Sequence, residues 1–201
     1  MSSLNENVDF VNLRTFFYHG SWEPKIADHH SPLRKRPWET NNLNSEYAVT
    51  YWTELGLLSS KINLGVPLFG LSWTLSPATV NYTPPVPTAV GMGLTPAGIL
   101  AFHFICDAVR DDSWKEFSDP NEMIGPYAVS QNLRKIWVGY DDPAMAVVKS
   151  KFIQSQGLGG AYLMDISYDD FHGSCGLGSN PITTAVYDTL NGITFCECVC
   201  E

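Results

Sequence analysis

The sequence predicts an α/β fold in which parallel strands are joined by crossover helices. Three short runs are rich in apolar, β-branched and aromatic residues and end at polar or glycine residues, which is typical of buried strands. These runs are residues 8–16, 61–70 and 159–167, and apolar residues recur at helical spacing in residues 44–61, 141–157 and 180–192. Because strands and helices alternate, the strands are expected to be parallel and to form an open sheet or a barrel.

The predicted helices are bounded by residues that favour helix ends. Asn44 or Ser45 precedes the first helix as a candidate cap. Asp141 or Asp142 precedes the second helix, and Pro143 occupies its first turn. The other residues of this pattern are Tyr47, Tyr51, Trp52, Leu55 and Leu58 at helical spacing in the first helix, Gly157 after the second, and Asn180, Pro181 and Gly192 around the third.

A segment of different composition, residues 68–137, separates the second predicted strand from the second predicted helix. Prolines and glycines break any helix in residues 82–96. The following stretch has a candidate helical face, formed by Ile99, Leu100, Phe102, Ile105 and Val109. We interpret the segment as a small α+β module inserted after a parallel strand. Barrels build their sites from such loops, so the module is expected to wall a groove.

Composition excludes two classes of partner. The 201 residues are 44% hydrophobic and 12% aromatic, enough to bury a core as one domain with an insert. A net charge of −9 argues against a nucleic-acid partner, and the single basic run, residues 34–36, is interpreted as a solvated loop. No stretch approaches the roughly 20 apolar residues of a membrane helix, and the first residues lack a signal-peptide pattern. We therefore expect neither nucleic-acid nor membrane binding.

Five cysteines are distributed unevenly. Cys106 and Cys175 are far apart, whereas Cys196, Cys198 and Cys200 lie close to the C-terminus. An odd number leaves at least one thiol unpaired or joined to another chain. The one-residue gaps of the tail differ from the spacing of structural zinc sites, so a frayed terminus is favoured over a metal site there. No metal or cofactor is expected elsewhere.

Three stretches and their spacing resemble the C-terminal half of an animal-type chitinase of glycoside hydrolase family 18. They are DFVNLRTFFYHGSW (9–22), KINLGVPLFGLSWTL (61–75) and WVGYDDPAMAVVKSKFIQSQGLGGAYLMDISYDDFHGSCG (137–176). The resemblance implies a (β/α)₈ TIM barrel with a chitin-binding groove, of which this chain would supply strands six to eight. The implied division is 1–67 for strands six and seven, 68–137 for the inserted α+β domain, 138–192 for strand eight and helices, and 193–201 for a Cys-rich tail.

The chemistry implied by the resemblance needs an acid that this chain lacks. Family members cleave β-1,4-linked N-acetylglucosamine with the substrate's own acetamide as nucleophile, and they use one glutamic acid. That acid ends a D-x-x-D-x-D-x-E motif, and no such spacing occurs in the sequence. No catalytic residue is therefore assigned, and the sequence is expected to lack its N-terminal half.

The positions that match the family's sugar-contacting residues have lost their polar groups. Where the family has M-x-Y-D on strand six, the chain has Arg14, Phe16 and Phe17. The Y-G-R after strand seven is represented by Phe69, Gly70 and Leu71. The tryptophan of M-V-W on strand eight, which forms the floor under a sugar ring, is Met164, and Trp22 alone remains among the aligned sugar-facing aromatics. The resemblance thus implies a degenerate carbohydrate groove made of Trp22, Phe16, Phe17, Phe69, Leu71 and Met164.

The scaffold positions of the resemblance are retained. The matching residues include Trp137, Gly139 and the Asp169–Phe171 stretch. Cys106 and Cys175 fall on the two positions that the family bridges, which implies a disulfide. A disulfide predicts an oxidising, extracellular compartment although no signal peptide is visible. The missing N-terminal half would reconcile the two.

Several conspicuous residues have simpler interpretations. We interpret the acidic pairs 111–112, 141–142 and 169–170 as helix caps or solvated loops rather than as acid/base machinery. His19, His29 and His30 are interpreted as surface histidines rather than metal ligands. Trp22 could stack on a sugar or pack the insert against the barrel.

These observations predict a catalytically inactive, chitinase-like protein that binds chitin or N-acetylglucosamine oligomers or has a structural role. One alternative is a subunit or fragment of an active chitinase whose acid comes from a separate N-terminal half. Another is an interaction protein with a vestigial groove. Three strands cannot close a barrel, so a second chain or self-association through the open strand edges is also expected.

Overall fold

The computed structural model describes residues 2–193. In chain order its helices and strands are α1 (Ser2–Asn7), β1 (Val11–Leu13), α2 (Ser45–Glu54), β2 (Ile62–Pro67), β3 (Phe69–Leu75), β4 (Ala89–Met92), β5 (Ile99–Ala101), α3 (Phe102–Arg110), β6 (Trp114–Phe117), β7 (Tyr127–Ser130), β8 (Ile136–Gly139), α4 (Pro143–Ser155), β9 (Gly160–Met164) and α5 (Pro181–Leu190). Single 3₁₀ turns lie at Ser59–Lys61 and Ile166–Tyr168.

Three parallel strands form one sheet in the order β1, β2, β9. The register aligns Leu13 with Leu64 and Leu64 with Ala161, and this row packs into the core beneath α4. Side chains alternate along a strand, so Asn12 and Asn63 occupy the other face. There the Asn63 amide donates a hydrogen bond of 3.0 Å to Asn12 Oδ1. The predicted strands therefore form, and they are parallel.

Two of the predicted helix caps are confirmed. The Asn44 side chain accepts a hydrogen bond from the backbone N–H of Tyr47 at the start of α2. Asp142 does the same for Met145 at the start of α4, ahead of which Pro143 fits the first turn. Asn180 makes no side-chain cap to α5. A distant carboxylate, that of Asp169, accepts from the backbone N–H and the hydroxyl of Thr183 instead.

Helix α2 presents its aromatic stripe to solvent. Tyr47, Tyr51, Leu55 and Leu58 are exposed, whereas Ser45 and Val49 are buried. The spacing correctly predicts a helix. It does not identify the face that meets the core, because small residues make that contact.

The second sheet is antiparallel, in the order β4, β3, β8, β7, β6, with β5 also paired to β3. The helix predicted within residues 97–110 starts later than expected. Ile99 and Leu100 belong to β5, where they pair with Leu71 and Gly70, and α3 begins at Phe102. Pairing with β3 overrides the local helical pattern at these two positions.

A disulfide joins Cys106 in α3 to Cys175 in the loop after β9, across a Cα–Cα distance of 5.7 Å. The pairing implied by the family resemblance is confirmed. It closes 69 residues of chain, which stabilises the fold by roughly 4 kcal/mol in the chain-entropy model. The other three cysteines lie outside the described residues.

Within 2–193, no helix combines the length and the apolar character needed to cross a bilayer.

Candidate functional site

The candidate groove lies where the three parallel strands end. Their carboxyl ends meet at one edge of the sheet, as in α/β folds generally, and the residues that follow each strand converge there. Phe16 and Phe17 follow β1, Phe69 follows β2, and Met164 ends β9. The sequence-predicted residues of three separate segments are thus brought to one place.

Five of the sequence-predicted residues form an apolar floor. Phe16 and Phe69 meet edge to face with ring centroids 5.9 Å apart, and Phe17 lies 5.1 Å from Phe69. Phe16, Phe69 and Leu71 are 3%, 1% and 0% exposed and belong to one buried cluster. Phe17 and Met164 pack against that cluster and keep partial exposure. Phe17 and Met164 therefore expose part of their surface at the candidate groove, while the other three support the floor from beneath.

Phe17 has a strained backbone. Its φ of 62° lies in the left-handed region, which is unfavourable for a bulky residue. Packing of its ring on Phe69 and beside His30 opposes that cost. Strain of this kind concentrates at functional sites, so the groove floor is consistent with one.

Gly65 explains how Phe16 reaches the floor. A Cβ at Gly65 would lie 2.9 Å from the Phe16 ring and 2.8 Å from the Leu13 carbonyl oxygen. Only glycine allows the ring to cross β2 at this height. The glycine of the second predicted strand is therefore required by the packing of the groove.

Met164 and Tyr162 form the β9 side of the floor. The Tyr162 hydroxyl donates to Met164 Sδ at 3.3 Å, and both residues contact the apolar cluster. A thioether is flexible and polarisable but has no flat face for a sugar ring. The β9 side of the floor can therefore pack against a ligand, but it lacks the flat surface of a tryptophan on which a sugar ring stacks.

Trp22 stands apart from the floor. Its side chain is 59% exposed and lies over Gly20, at the loop that follows β1. The exposure argues against the alternative in which Trp22 packs the two sheets together. In the same loop, the Glu23 carbonyl accepts a hydrogen bond from Trp73 Nε1, which fixes the loop to β3.

Arg14 adds a charge at the edge of the floor. The residue is exposed, and its guanidinium carbon lies 4.5 Å from the Phe17 ring centroid and 5.5 Å from that of Phe16. The stacking could not be predicted from the sequence, because it depends on the left-handed turn at Phe17.

The prediction that the three histidines are surface residues is wrong. His19, His29 and His30 are all buried in the loop between β1 and α2, residues 14–44, which we call the groove loop. His29 Nε2 bonds to the Tyr140 carbonyl oxygen at 2.9 Å, and His30 Nε2 to that of Phe69 at 3.2 Å. Burial lowers the pKa of His30 to about 3, and the charge of Lys149 acts in the same direction. The ring pair is therefore neutral and structural.

A buried ion pair lies behind these histidines. Lys149 Nζ bonds to Asp141 and also to the carbonyl and hydroxyl oxygens of Ser31 at 2.8 and 2.6 Å. Burial raises the pKa of Asp141 to about 6 and lowers that of Lys149, while their attraction opposes both shifts. Interpreting pair 141–142 as caps or solvated loops is right for Asp142 and wrong for Asp141. The pair fastens the groove loop to α4.

Arg36 corrects the interpretation of residues 34–36 as a solvated run. Its guanidinium is buried and donates to Asp28 at 2.8 Å, to Glu39 at 2.6 Å and to the Pro84 carbonyl at 3.1 Å. These bonds tie the loop after β1 to the loop between β3 and β4. The sequence holds no local signal for this network, because Pro84 is far away in the chain.

Metal binding can be assessed within the described residues. There, one group of side chains has metal-ligand proximity, Cys106, Cys175 and Asp170. Both sulfurs are used in the disulfide. The Asp170 carboxylate accepts from the backbone N–H groups of Ser174 and Cys175, so it serves as a loop anchor. The cysteine tail considered in the sequence analysis lies outside the described residues.

The mixed helix and strand content and the parallel sheet agree with one class of proteins, those with the chitinase-type fold of the TIM-barrel family. The chain belongs to glycosyl hydrolases family 18, whose family model matches residues 1–169.

Individual relatives agree with this assignment. Human chitinase-3-like protein 2 is 37% identical over 201 residues, covering 96% of this chain and 50% of the relative. Catalytic domain 2 of the Group II chitinase of Ostrinia furnacalis superposes with a TM-score of 0.86 at 33% identity, covering 94% of this chain and 50% of that one. Human YKL-39, described as a pseudo-chitinase with retained chitooligosaccharide binding properties, gives 0.84 at 37% identity, with coverage of 94% and 52%. The chain spans about half the length of these relatives.

Proposed function

We propose that this chain is a chitinase-like protein that binds chitin oligosaccharides without hydrolysing them. The observation that carries the proposal is the apolar floor. Phe17 stands where the resemblance implies a sugar-contacting aspartate, and Phe69 and Leu71 stand where it implies a tyrosine and an arginine. A floor without carboxylates can contact the apolar faces of sugar rings but cannot position or activate an acetamide.

Our assignment of the strands follows from their order. We assign β1, β2 and β9 to strands six, seven and eight of a (β/α)₈ barrel, because they are parallel, adjacent and connected through helices. Residues 68–137 are then the inserted domain, between 1–67 and 138–192, with the tail at 193–201. The antiparallel pairing of β3 with β4 and β5, and of β6 with β7, supports a separate module there.

Binding without catalysis has a precedent among the relatives. Human YKL-39 is described as a pseudo-chitinase that retains chitooligosaccharide binding. Exposed Trp22 offers this chain a surface on which a sugar ring could stack. We also propose an extracellular location, which the Cys106–Cys175 disulfide supports.

The test combines binding and turnover. Calorimetric titration with chitin hexasaccharide should show binding, and mass spectrometry after prolonged incubation should show no shorter products. Trp22→Ala should weaken binding about tenfold through the lost stacking surface. Phe10→Ala is the matched control. Phe10 is equally exposed but precedes β1, so it lies at the amino end of the strand, away from the candidate groove. Shorter products would contradict inactivity, and no binding would leave a structural role.

A second candidate is assembly with another chain. Within residues 2–193, β1 and β9 each have one edge without a strand partner. Such edges favour pairing with another polypeptide. Native mass spectrometry of material from the natural source distinguishes a single chain, a homo-oligomer and a complex with a chain that brings further strands. Turnover by such a complex would support the alternative of a two-chain chitinase.

A further inference from the structure

Arg14 brings a positive charge to the edge of the groove. The residue directly follows β1, whose carboxyl end meets those of β2 and β9 at the groove. Its side chain is exposed, and its guanidinium lies on the Phe17 ring, which is itself part of the floor. Arg14 is therefore presented to any molecule that occupies the groove.

The charge of Arg14 has no counterion among the described residues. The five basic side chains that form ion pairs there do so with Glu23, Asp28, Glu39, Glu46, Asp107 or Asp141, and none of these acids is paired with Arg14. Asp165 is an acidic residue at the same carboxyl ends of the strands, and it follows β9. The backbones of β1 and β9 are two strand spacings apart, about 9–10 Å. The Asp165 carboxylate is already bonded to the backbone N–H and hydroxyl of Ser167.

The stacking of Arg14 leaves its donors free. A guanidinium that lies on an aromatic ring uses its face for the cation–π contact and keeps its N–H groups in the plane, directed outward. That planar edge matches the two oxygens of a carboxylate or sulfate. A neutral saccharide offers single hydroxyl and amide oxygens, which leave most of this donor set unused.

We propose that the groove selects acidic saccharides, oligosaccharides that carry a carboxylate or sulfate group, through Arg14. The inference rests on the proposed function in one respect: it uses the same groove as a sugar-binding site. Phe17 and Met164 contact the sugar rings, and Arg14 binds the acidic substituent of the sugar beside them. The overall charge of −9 does not favour acidic ligands in general, so selectivity has to come from this local group.

The decisive comparison uses tetrasaccharides of equal length. One is chitin tetrasaccharide, the second alternates N-acetylglucosamine with glucuronate, and the third is a sulfated chitin tetrasaccharide. At low salt the full chain should bind at least one acidic ligand about tenfold more tightly than the neutral one, and 0.5 M salt should remove most of that preference. The two acidic arms tell carboxylate from sulfate recognition, and tighter binding in either supports the inference.

Variants assign the preference to Arg14. Arg14→Met should abolish the preference, so that the acidic and neutral tetrasaccharides bind with equal affinity, and Arg14→Lys should retain part of the preference. Arg134→Met is the matched control, because Arg134 is exposed in the turn between β7 and β8 and should keep full selectivity.

The failures of the two proposals are distinguishable. Binding of the neutral ligand as tight as that of both acidic ligands, with no effect of Arg14→Met, overturns the selectivity and leaves sugar binding intact. If none of the three ligands binds to the wild-type chain, the proposed function itself fails. Should Arg14→Met not fold, Arg14→Lys and the salt dependence of the wild-type chain decide the question.

Discussion

The groove floor and the groove loop, residues 14–44, differ in their buried polar groups. The floor is built from Phe16, Phe17 and Phe69, with no carboxylate among them. The loop, by contrast, is held by buried charges, Asp141 with Lys149 and Arg36 with Asp28. His30 links the two regions, since it stacks on Phe69 and its pKa is lowered in part by Lys149.

The difference shows which polar groups the fold itself needs. Buried charges fasten the loop to α4 and to the loop between β3 and β4, whereas the floor consists of apolar side chains. In the floor, apolar side chains fill the space, so no buried charge there needs a partner. Removing one of the charges that hold the groove loop would leave its partner charge buried and unpaired. Four changes, in order of decreasing effect on stability, test this contrast.

The largest effect is expected for the buried ion pair. Asp141→Asn should lower the free energy of unfolding by about 3–5 kcal/mol, because it leaves Lys149 charged and fully buried. Urea denaturation measures the change. The double variant Asp141→Leu with Lys149→Met should recover most of the loss, since it removes both charges. A loss below about 1 kcal/mol in the single variant would show that the pair does not fasten the loop.

The disulfide should have the next largest effect. Cys106→Ala combined with Cys175→Ala should lower the free energy of unfolding by about 2–4 kcal/mol, because 69 residues of chain are no longer closed in the unfolded state. The same urea assay, repeated on the wild-type chain with and without a dithiol, gives an independent value. Equal stability of the oxidised and reduced chains would contradict the prediction.

These two cases also show how far the sequence can predict the fold. The helix caps at Asn44 and Asp142 are local signals, within three residues of the groups they bond, and both could be predicted. The disulfide depended on the family resemblance, since its cysteines are 69 residues apart. The bonds of Lys149 to Ser31 span 118 residues, and no local pattern indicates them. The buried histidines were missed for the same reason.

Acid should weaken the protein through its buried histidines. Burial sets the pKa of His30 at about 3 and that of His29 well below 6.5, so the unfolded chain binds more protons than the folded chain as pH falls below about 6.5. Stability due to both groups is therefore lost on acidification. Between about pH 6 and 4, Asp141 offsets the loss due to one histidine. Its folded-state pKa is raised to about 6, so there the folded chain binds a proton that the unfolded chain does not. These three groups together should give a loss of about 1.4 kcal/mol per pH unit there. Burial also raises the pKa of Asp142, which reduces the loss towards pH 4.

Urea denaturation between pH 7 and 4 measures this slope. His30→Gln should reduce the slope by about 1.4 kcal/mol per pH unit, the contribution of one proton, once the stability change that the substitution causes at pH 7 is subtracted. His172→Gln is the control, because His172 is exposed and should leave the slope unchanged. A wild-type free energy of unfolding that stays constant over this range would contradict a neutral, buried histidine pair.

The smallest effect is expected where the same chemistry is exposed. Arg34 and Glu46 form an ion pair at 3.5 Å with side chains 39% and 48% exposed, in the same basic run that contains buried Arg36. Glu46→Gln should change the free energy of unfolding by less than about 0.5 kcal/mol, because water screens the pair and each charge stays solvated when its partner is lost. Urea denaturation beside Asp141→Asn gives the comparison directly. If the two variants lost similar stability, burial would not be what makes the loop charges matter, and the contrast between loop and floor would need another cause.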